Sequence, residues 1–295
     1  DAERNAPDFQ SSDRTLMTKT VAQALLCKVY AETAVQNYDK VIEYAEKVRN
    51  TKGLALEPDF STLWGWNATA QDCTKRNTTE GILEVHWFPG SGNWESWMYG
   101  RCLENYEYGF TWAKWVTPSR DLIKAFNDEG DTTRLNQTVV YYSCNWSNYY
   151  PSSHYAFMYK LRSGYNNEYV VRLADIILLE AEAYAHKGEL QLAAQLVNLI
   201  RQRAKLPKLT SAATASQTTM EEAVLKERRL ELACEGERWY DLRRAGKVEE
   251  VLNSLPSRDS GHLPLARQYT ANSYLMPIPQ TALDENDNLI PNPGY

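Results

Sequence analysis

Long hydrophobic runs and basic clusters are missing from this 295-residue sequence. Its longest purely aliphatic run, residues 176–179, is far shorter than the roughly 20 apolar residues that cross a bilayer, which excludes a membrane-spanning helix. Lys and Arg number 32 against 38 Asp and Glu, for a formal net charge of -6, and the basic residues are scattered. Because phosphate backbones are bound by clustered basic residues, this composition excludes nucleic acid as a partner.

Cysteine and histidine are few, and their spacing matches no metal site. The five cysteines include no Cys-x-x-Cys pair and the four histidines lie far apart, so we predict no metal and no cofactor. Cys27 and Cys234 fall inside helical patterns, which is typical of small buried side chains. Cys73, Cys102 and Cys144 lie in loop-rich sequence, and it stays open whether any two of them form a disulfide.

Helical patterns occupy both ends of the chain, and an irregular segment separates them. Hydrophobic residues make up 43% of the sequence and charged residues 24%, as in an ordinary globular protein. Helical spacing of apolar residues recurs over residues 16–33, 38–48, 171–186, 190–204 and 219–245. The segment between the helical ends mixes Gly, Asn, Ser and Pro with aromatics. It holds short strand-like pieces and one predicted short helix, which Thr117-Pro118-Ser119 opens.

Aromatic residues are concentrated in this middle segment. Eight of the nine tryptophans fall between residues 61 and 150, where they alternate with amide, hydroxyl and charged groups. An indole or phenol ring packs on the flat C–H face of a pyranose, and polar neighbours can hydrogen-bond its hydroxyls, so the cluster predicts a saccharide site. The alternative is that the aromatics form a buried core. The candidate ligand residues are Asn93, Trp94, Trp97, Tyr99, Arg101, Tyr106, Tyr108, Trp112 and Trp115.

Two helical hairpins resemble each other. Tyr30 ends one helix and Tyr38 begins the next in the first hairpin, and Tyr184 and Leu190 hold the corresponding places later in the chain. Both resemble the tetratricopeptide helix-turn-helix unit, which serves as a scaffold. We therefore predict a mainly α fold, in which tetratricopeptide-like helical hairpins support an irregular, aromatic-rich loop region with a few short strands.

The chain divides into four predicted segments. They are a tetratricopeptide-like hairpin over residues 1–60, a loop-rich aromatic region carrying the candidate glycan-binding face over 61–168, C-terminal helical hairpins over 169–255, and a tail that packs on the helical platform over 256–295.

Three glutamates, Glu227, Glu231 and Glu235, fall on one helical stripe flanked by arginines. One interpretation is a carboxylate site, and the other is a salt-bridge lattice that locks helices together. We favour the lattice, because catalytic carboxylates need a cleft and differing environments, which a helix so rich in cations does not indicate.

Three sequence patterns occur together and in order. Residues 172–183 carry Arg-x-Ala-Asp followed by Ala-Glu-Ala, residues 227–244 carry Glu-Arg, Glu-Gly-x-Arg and Asp-Leu-Arg-Arg, and residues 277–295 carry Pro-Ile-Pro and Asn-Pro-Gly-Tyr. In this the chain resembles the SusD/RagB family. Further similarity at residues 21–56 and 118–134 extends the resemblance over essentially the whole chain.

The resemblance implies a surface-exposed outer-membrane lipoprotein of a Bacteroidetes-type bacterium. Such a protein captures an oligo- or polysaccharide on the extracellular face and delivers it to a SusC-like TonB-dependent transporter for nutrient uptake, without catalysing a reaction. Its contact with the membrane is through an N-terminal lipid anchor, which is absent from this chain. The first helical units are also missing, so the chain looks like the C-terminal part of a member.

Two alternatives remain open from the sequence. The first is a glycoside hydrolase on a helical fold, with a carboxylate pair, for example among Glu95, Glu104 and Glu107. The second is a helical-repeat scaffold that binds a protein partner and no sugar.

Overall fold

Helices form both ends of the described chain, and three two-stranded sheets lie between them in sequence. The computed structural model describes residues 1–67, 69–70, 72–88, 116–145, 147–163 and 165–295. Within those ranges, no helix has the length and apolar character needed to cross a membrane.

A helical hairpin follows a short first helix. These elements are α1 (Ala2–Asn5), α2 (Lys19–Ala31) and α3 (Tyr38–Arg49). The Thr18 side chain accepts a hydrogen bond from the Val21 backbone at the start of α2, and Asn37 accepts one from the Lys40 backbone at the start of α3. Such N-caps satisfy backbone donors that have no partner within the helix. The sequence pattern predicted both helices to within a few residues.

The middle of the chain holds short strands and two helices. In chain order these are a 3₁₀ helix (Phe60–Trp64), β1 (Trp66–Asn67), β2 (Asp72–Cys73), β3 (Gly81–His86), α4 (Arg120–Glu129), α5 (Thr132–Thr138), β4 (Val139–Tyr142), β5 (Tyr155–Met158) and β6 (Asn167–Arg172). The pairs β1–β2, β3–β6 and β4–β5 are all antiparallel. Ser119 caps α4, which begins where the sequence predicted a short helix.

A second group of helices follows β6. They are α6 (Leu173–His186), α7 (Leu190–Arg203), α8 (Gln217–Glu231), α9 (Arg238–Arg244), α10 (Val248–Asn253), α11 (Leu255–Arg258), a 3₁₀ helix (Ala271–Tyr274) and α12 (Gln280–Glu285). Almost every residue of α6 is buried, as its apolar sequence predicted.

The start of α6 differs from the prediction, which placed Val171 in the helix. Val171 pairs with Leu83 and Arg172 pairs with Gly81, so both belong to β6, and the helix begins only at Leu173. A short run of β-branched residues next to a helix fits either structure, and here the pairing with β3 decides it.

The helical stretch predicted over residues 219–245 is interrupted. Its first part, α8, begins earlier than predicted, with Ser216 as the N-cap and the Thr219 side chain completing the capping box. The helix ends at Glu231, because Cys234 and Gly236 both adopt positive φ and turn the chain before α9 begins.

The two helical groups share one apolar core. Val21 and Ala24 of α2, Val41 of α3, Ile176 of α6 and Val197 of α7 all belong to the same buried cluster. The predicted fold is therefore confirmed: helical hairpins support an irregular region with a few short strands.

The C-terminal segment lies against the helices. Asn253 Nδ2 donates to the Tyr269 carbonyl oxygen at 2.9 Å, and the Tyr274 hydroxyl donates to Glu249 at 2.7 Å. The Trp239 ring lies near both tyrosine rings, with its centroid 6.3 Å from that of Tyr269.

Candidate functional site

A lattice of buried ion pairs joins the start of α6 to α8. Arg172 Nη1 lies 2.7 Å from Glu80 Oε1 and 2.6 Å from Glu231 Oε1, and Arg172 Nε lies 2.6 Å from Glu235 Oε2. Burial alone would raise the pKa of Glu231, but the surrounding arginines, Arg203 and Arg172 foremost, hold it well below its usual range. This carboxylate stays ionised and is therefore unsuited to act as a general acid.

The ion-pair lattice extends further through Arg134 and Arg228. Arg134 Nη1 lies 2.7 Å from Glu227 Oε1, and Arg228 bridges Asp175 at 2.8 Å and Asp241 at 2.7 Å. Each carboxylate of the glutamate stripe thus has at least one buried cation as a partner. The lattice interpretation of the stripe is confirmed, and the charged residues of the first two sequence patterns largely form the interior of the protein.

The candidate ligand residues predicted from the aromatic cluster lie outside the described residues. All of them, from Asn93 to Trp115, fall within residues 89–115, as do Glu95, Glu104 and Glu107 and one of the three loop cysteines, Cys102. Cys73 is a free thiol, so it forms no disulfide. Among the residues that the structure does describe, no group of three or more His, Cys, Asp or Glu side chains could hold a metal ion.

An open groove lies beside the N-terminus of α4. A cavity of about 950 Å³ adjoins one of about 290 Å³, and both are lined by Arg120, Tyr150 and Pro151. We call the two together the tyrosine groove. The larger cavity is also lined by Asn145, Asn148 and Tyr149, and the smaller by Lys124, Asn127, Tyr141 and His154.

Arg120 organises the rings of the groove. Its guanidinium carbon lies 4.6 Å from the ring centroid of Tyr149 and 4.3 Å from that of Tyr150, within the range of cation–π contacts. The two tyrosine rings meet edge to face with their centroids 4.9 Å apart, and the Tyr150 hydroxyl donates to the Pro118 carbonyl oxygen at 2.7 Å. The rings therefore have fixed orientations before any ligand binds.

Asp259 holds Arg120 in place from the C-terminal segment. Its carboxylate accepts hydrogen bonds from the Arg120 backbone at 2.8 Å, from the Arg120 guanidinium at 3.1 Å and from the Tyr149 hydroxyl. Burial alone would raise the pKa of Asp259, but these donors outweigh it and lower the pKa. Gly261 lies so close that a Cβ there would meet the Arg120 guanidinium at 1.9 Å, so a larger residue at this position would displace the guanidinium.

The second part of the groove carries a further aromatic platform. The rings of Tyr141 and His154 are stacked, with centroids 3.9 Å apart and planes 7° from parallel. His154 is exposed and Tyr141 is half-buried, so part of this stack faces solvent. Exposed Lys124 and Asn127 provide hydrogen-bond donors beside the platform.

This arrangement suits a ligand that has both flat apolar faces and hydroxyl groups. The rings offer stacking surfaces, and the amides, Lys124 and Arg120 offer polar contacts around them. None of these residues is among the candidates predicted from the sequence, although Asn148-Tyr149-Tyr150-Pro151 shows the same alternation of aromatic and amide groups as residues 93–115.

Comparison with known proteins identifies relatives over the whole chain. The sequence model of the SusD family matches residues 145–295, just over half of the chain. SusD-like protein P2 of Formosa agariphila is 28% identical over 326 residues, covering 98% of this chain and 62% of that protein.

Solved structures show the same fold. A SusD superfamily protein from Bacteroides vulgatus superposes with a TM-score of 0.73 at 22% identity, over 100% of this chain and 66% of that one. Surface glycan-binding protein A from Bacteroides thetaiotaomicron, in complex with laminarihexaose, superposes with a TM-score of 0.70 at 18% identity, over 97% of this chain and 66% of that one. The chain spans less than two thirds of the length of each of these relatives. On the match of the family model, the chain belongs to the SusD family.

Proposed function

We propose that the protein is a cell-surface glycan-binding protein, which captures an oligo- or polysaccharide and delivers it to a SusC-like TonB-dependent transporter in the outer membrane. The observation that carries the proposal is the tyrosine groove, an open surface site whose rings are fixed by Arg120 and Asp259. Rings that are already oriented lose little entropy when a ligand binds.

The groove accounts for recognition of a sugar in physical terms. A pyranose face can lie on the half-buried Tyr149 ring or on the exposed side of the Tyr141–His154 stack. Its hydroxyls can bond to the amides of Asn145 and Asn148, which are both exposed. A shallow site of this kind excludes little water, so we expect dissociation constants from about micromolar to millimolar, or roughly -8 to -4 kcal/mol.

Relatives support the same class of ligand. The glycan-binding protein from Bacteroides thetaiotaomicron, which shares the fold, is described as bound to laminarihexaose. We also propose that the aromatic and polar residues predicted over residues 93–115 form a second part of the site.

The proposed location is the extracellular face of the outer membrane, where a lipid anchor attaches the protein. The function is binding without covalent chemistry. In the groove, Asp259 is fully buried and held in its charged form by Arg120 and Tyr149, so it can neither donate a proton nor reach a glycosidic bond.

Affinity gels with a panel of polysaccharides, together with laminarihexaose as a soluble competitor, test the proposal. The purified chain should be retarded by at least one polymer, and the same samples should release no new reducing ends. Release of reducing ends would favour a glycoside hydrolase, and the absence of both effects would contradict glycan capture.

Three variants test whether the glycan binds in the tyrosine groove. Tyr149→Ala removes a ring and should weaken retardation about tenfold, whereas Tyr149→Phe, which keeps the ring, should retain most of it. Tyr240→Ala is the matched control, because Tyr240 is 46% exposed on α9 and does not line the groove. Equal retardation of Tyr149→Ala and Tyr240→Ala would show that the tyrosine groove does not bind the glycan. In the same gels, Trp97→Ala and Trp112→Ala test the contribution of residues 93–115.

A further inference from the structure

Another cavity, of about 200 Å³, lies between α4, α8, α9 and the helices that follow α9. Its apolar walls come from Leu122, Leu232, Leu242, Leu252 and Leu255. Four arginines also line it, Arg228, Arg229, Arg238 and Arg258, against two carboxylates, Asp121 and Asp241. The cavity therefore combines an apolar lining with an excess of positive charge.

Most of these charges already have partners. Asp121 accepts hydrogen bonds from Arg229 at 2.7 Å and from Arg258. Asp241 is held by Arg228 and Arg244, both at 2.7 Å. The carboxylates on the cavity wall are thus already engaged by other arginines.

Arg238 differs from these arginines in its hydrogen bonds and ion pairs. Its one hydrogen bond given by the structure runs from Nη1 to the Leu225 carbonyl oxygen at 3.3 Å, and none of the ion pairs among the described residues includes it, although the charge of Asp241 acts to raise its pKa. Burial, and then the nearby Arg229 guanidinium, lower the pKa of Arg238 to about 10, so it remains charged at neutral pH. Arg238 is partly exposed, so water can solvate its remaining donors, and an anion in the cavity would replace that water with a charge-assisted pair.

We propose that this cavity binds a small monocarboxylate that carries a compact apolar group, with the carboxylate on Arg238 and the apolar group against the leucines. A cavity of about 150 Å³ with apolar walls admits benzene, so one of about 200 Å³ has room for a six-carbon group and a carboxylate. A planar guanidinium can donate two parallel hydrogen bonds to a carboxylate, and Arg238 makes only one hydrogen bond to the protein.

This site is separate from the tyrosine groove. Asp121 and Arg258 line the cavity, whereas their sequence neighbours Arg120 and Asp259 build the groove. No residue lines both the cavity and the groove, so the two proposals do not depend on each other, and their tests use different ligands.

Isothermal titration calorimetry of the full chain with benzoate tests the proposal. Benzoate should bind, and benzamide, which has the same shape without the charge, should bind at least about tenfold more weakly. Arg238→Gln should weaken benzoate binding by about the same factor. Arg243→Gln, which removes a charge from the same helix outside the cavity, should change it by less than about twofold.

The comparison of benzoate with benzamide on the native chain tests the proposal even if Arg238→Gln does not fold. Equal affinity of the native chain for benzoate and benzamide would overturn the proposal, as would an absence of benzoate binding. Equal effects of Arg238→Gln and Arg243→Gln would do the same. Because Cys234 also lines the cavity, benzoate should slow alkylation of Cys234 and leave that of Cys73 unchanged, as read peptide by peptide in a mass spectrometer.

Discussion

Replacing Asp259 with Asn removes a buried charge that joins Arg120 to Tyr149 in the tyrosine groove. The change keeps the shape of the side chain, which is 0% exposed. It removes the negative charge that accepts hydrogen bonds from the Arg120 backbone at 2.8 Å, from the Arg120 guanidinium and from the Tyr149 hydroxyl. The Arg120 guanidinium then has no counter-charge where it contacts the tyrosine rings.

The expected cost follows from the burial of the pair. Breaking a fully buried ion pair costs about 3–5 kcal/mol of unfolding free energy. Because the Arg120 side chain is 31% exposed, water can solvate part of the charge that is left, and we expect about 2–3 kcal/mol. For a chain of 295 residues, with an unfolding entropy of about 0.6 kcal/mol/K, that lowers the melting temperature by roughly 3–5 °C.

Urea unfolding and affinity gels measure the two consequences. Asp8→Asn is the matched control, because Asp8 is 85% exposed and, among the described residues, pairs with Lys19, which does not line the groove, so its loss should leave the stability nearly unchanged. Asp259→Asn should also weaken glycan retardation about tenfold, since Arg120 and Tyr149 lose their orientation. Equal stability and equal retardation of the two variants would refute the reasoning.

Three further predictions concern the lattice and the groove. Glu231→Gln should lower the free energy of unfolding by about 3–5 kcal/mol in a urea titration, because it leaves several buried arginines without their shared partner; a loss below about 1 kcal/mol would contradict that role. The pKa values of Asp175 and Glu231 are lowered, against the effect of burial, by Lys28 and Arg228 and by the arginines around Glu231. Carboxyls with a lowered pKa stabilise the fold above their unfolded-state pKa of about 4, and they lose that effect as the pH falls toward their lower folded-state pKa. The unfolding free energy, followed by circular dichroism, should therefore hold from about pH 7 to 5 and fall steeply below about pH 4. Gly261→Ala should weaken glycan retardation with little change in far-ultraviolet circular dichroism, because the new Cβ displaces the Arg120 guanidinium; unchanged retardation would show that the guanidinium has room to move.

The sequence predicted the helices well, because their signals are local. Thr18 and Asn37 cap α2 and α3 from within one turn, and the apolar sequence of α6 follows from its burial on nearly all sides. The lattice around Glu231 was also predictable, since a glutamate stripe flanked by arginines needs partners when it is buried.

The tyrosine groove was harder to predict, because its contacts join distant parts of the chain. Arg120 and Asp259 are 139 residues apart, and nothing in the sequence near either residue indicates the other. The place where α6 begins shows the same difficulty: Val171 is helical by its local pattern, but it pairs with Leu83 across the sheet. The one local signal of the groove is the alternation of amide and aromatic residues around Tyr149, which the sequence shares with residues 93–115.

The contacts of Lys28 have a consequence for how the chain folds during synthesis. Lys28 on α2 bonds to Asp175 and to Glu237, which lie 147 and 209 residues further along the chain. At about 5–20 residues per second, Glu237 is synthesised roughly 10 to 40 seconds after Lys28. Until α6 has been synthesised, the first hairpin lacks both the apolar surface of that helix and Asp175, and Lys28 gains its second carboxylate only with Glu237. The N-terminal hairpin therefore reaches its final packing only after the C-terminal helices exist, and until then it presents apolar surface that a chaperone can hold.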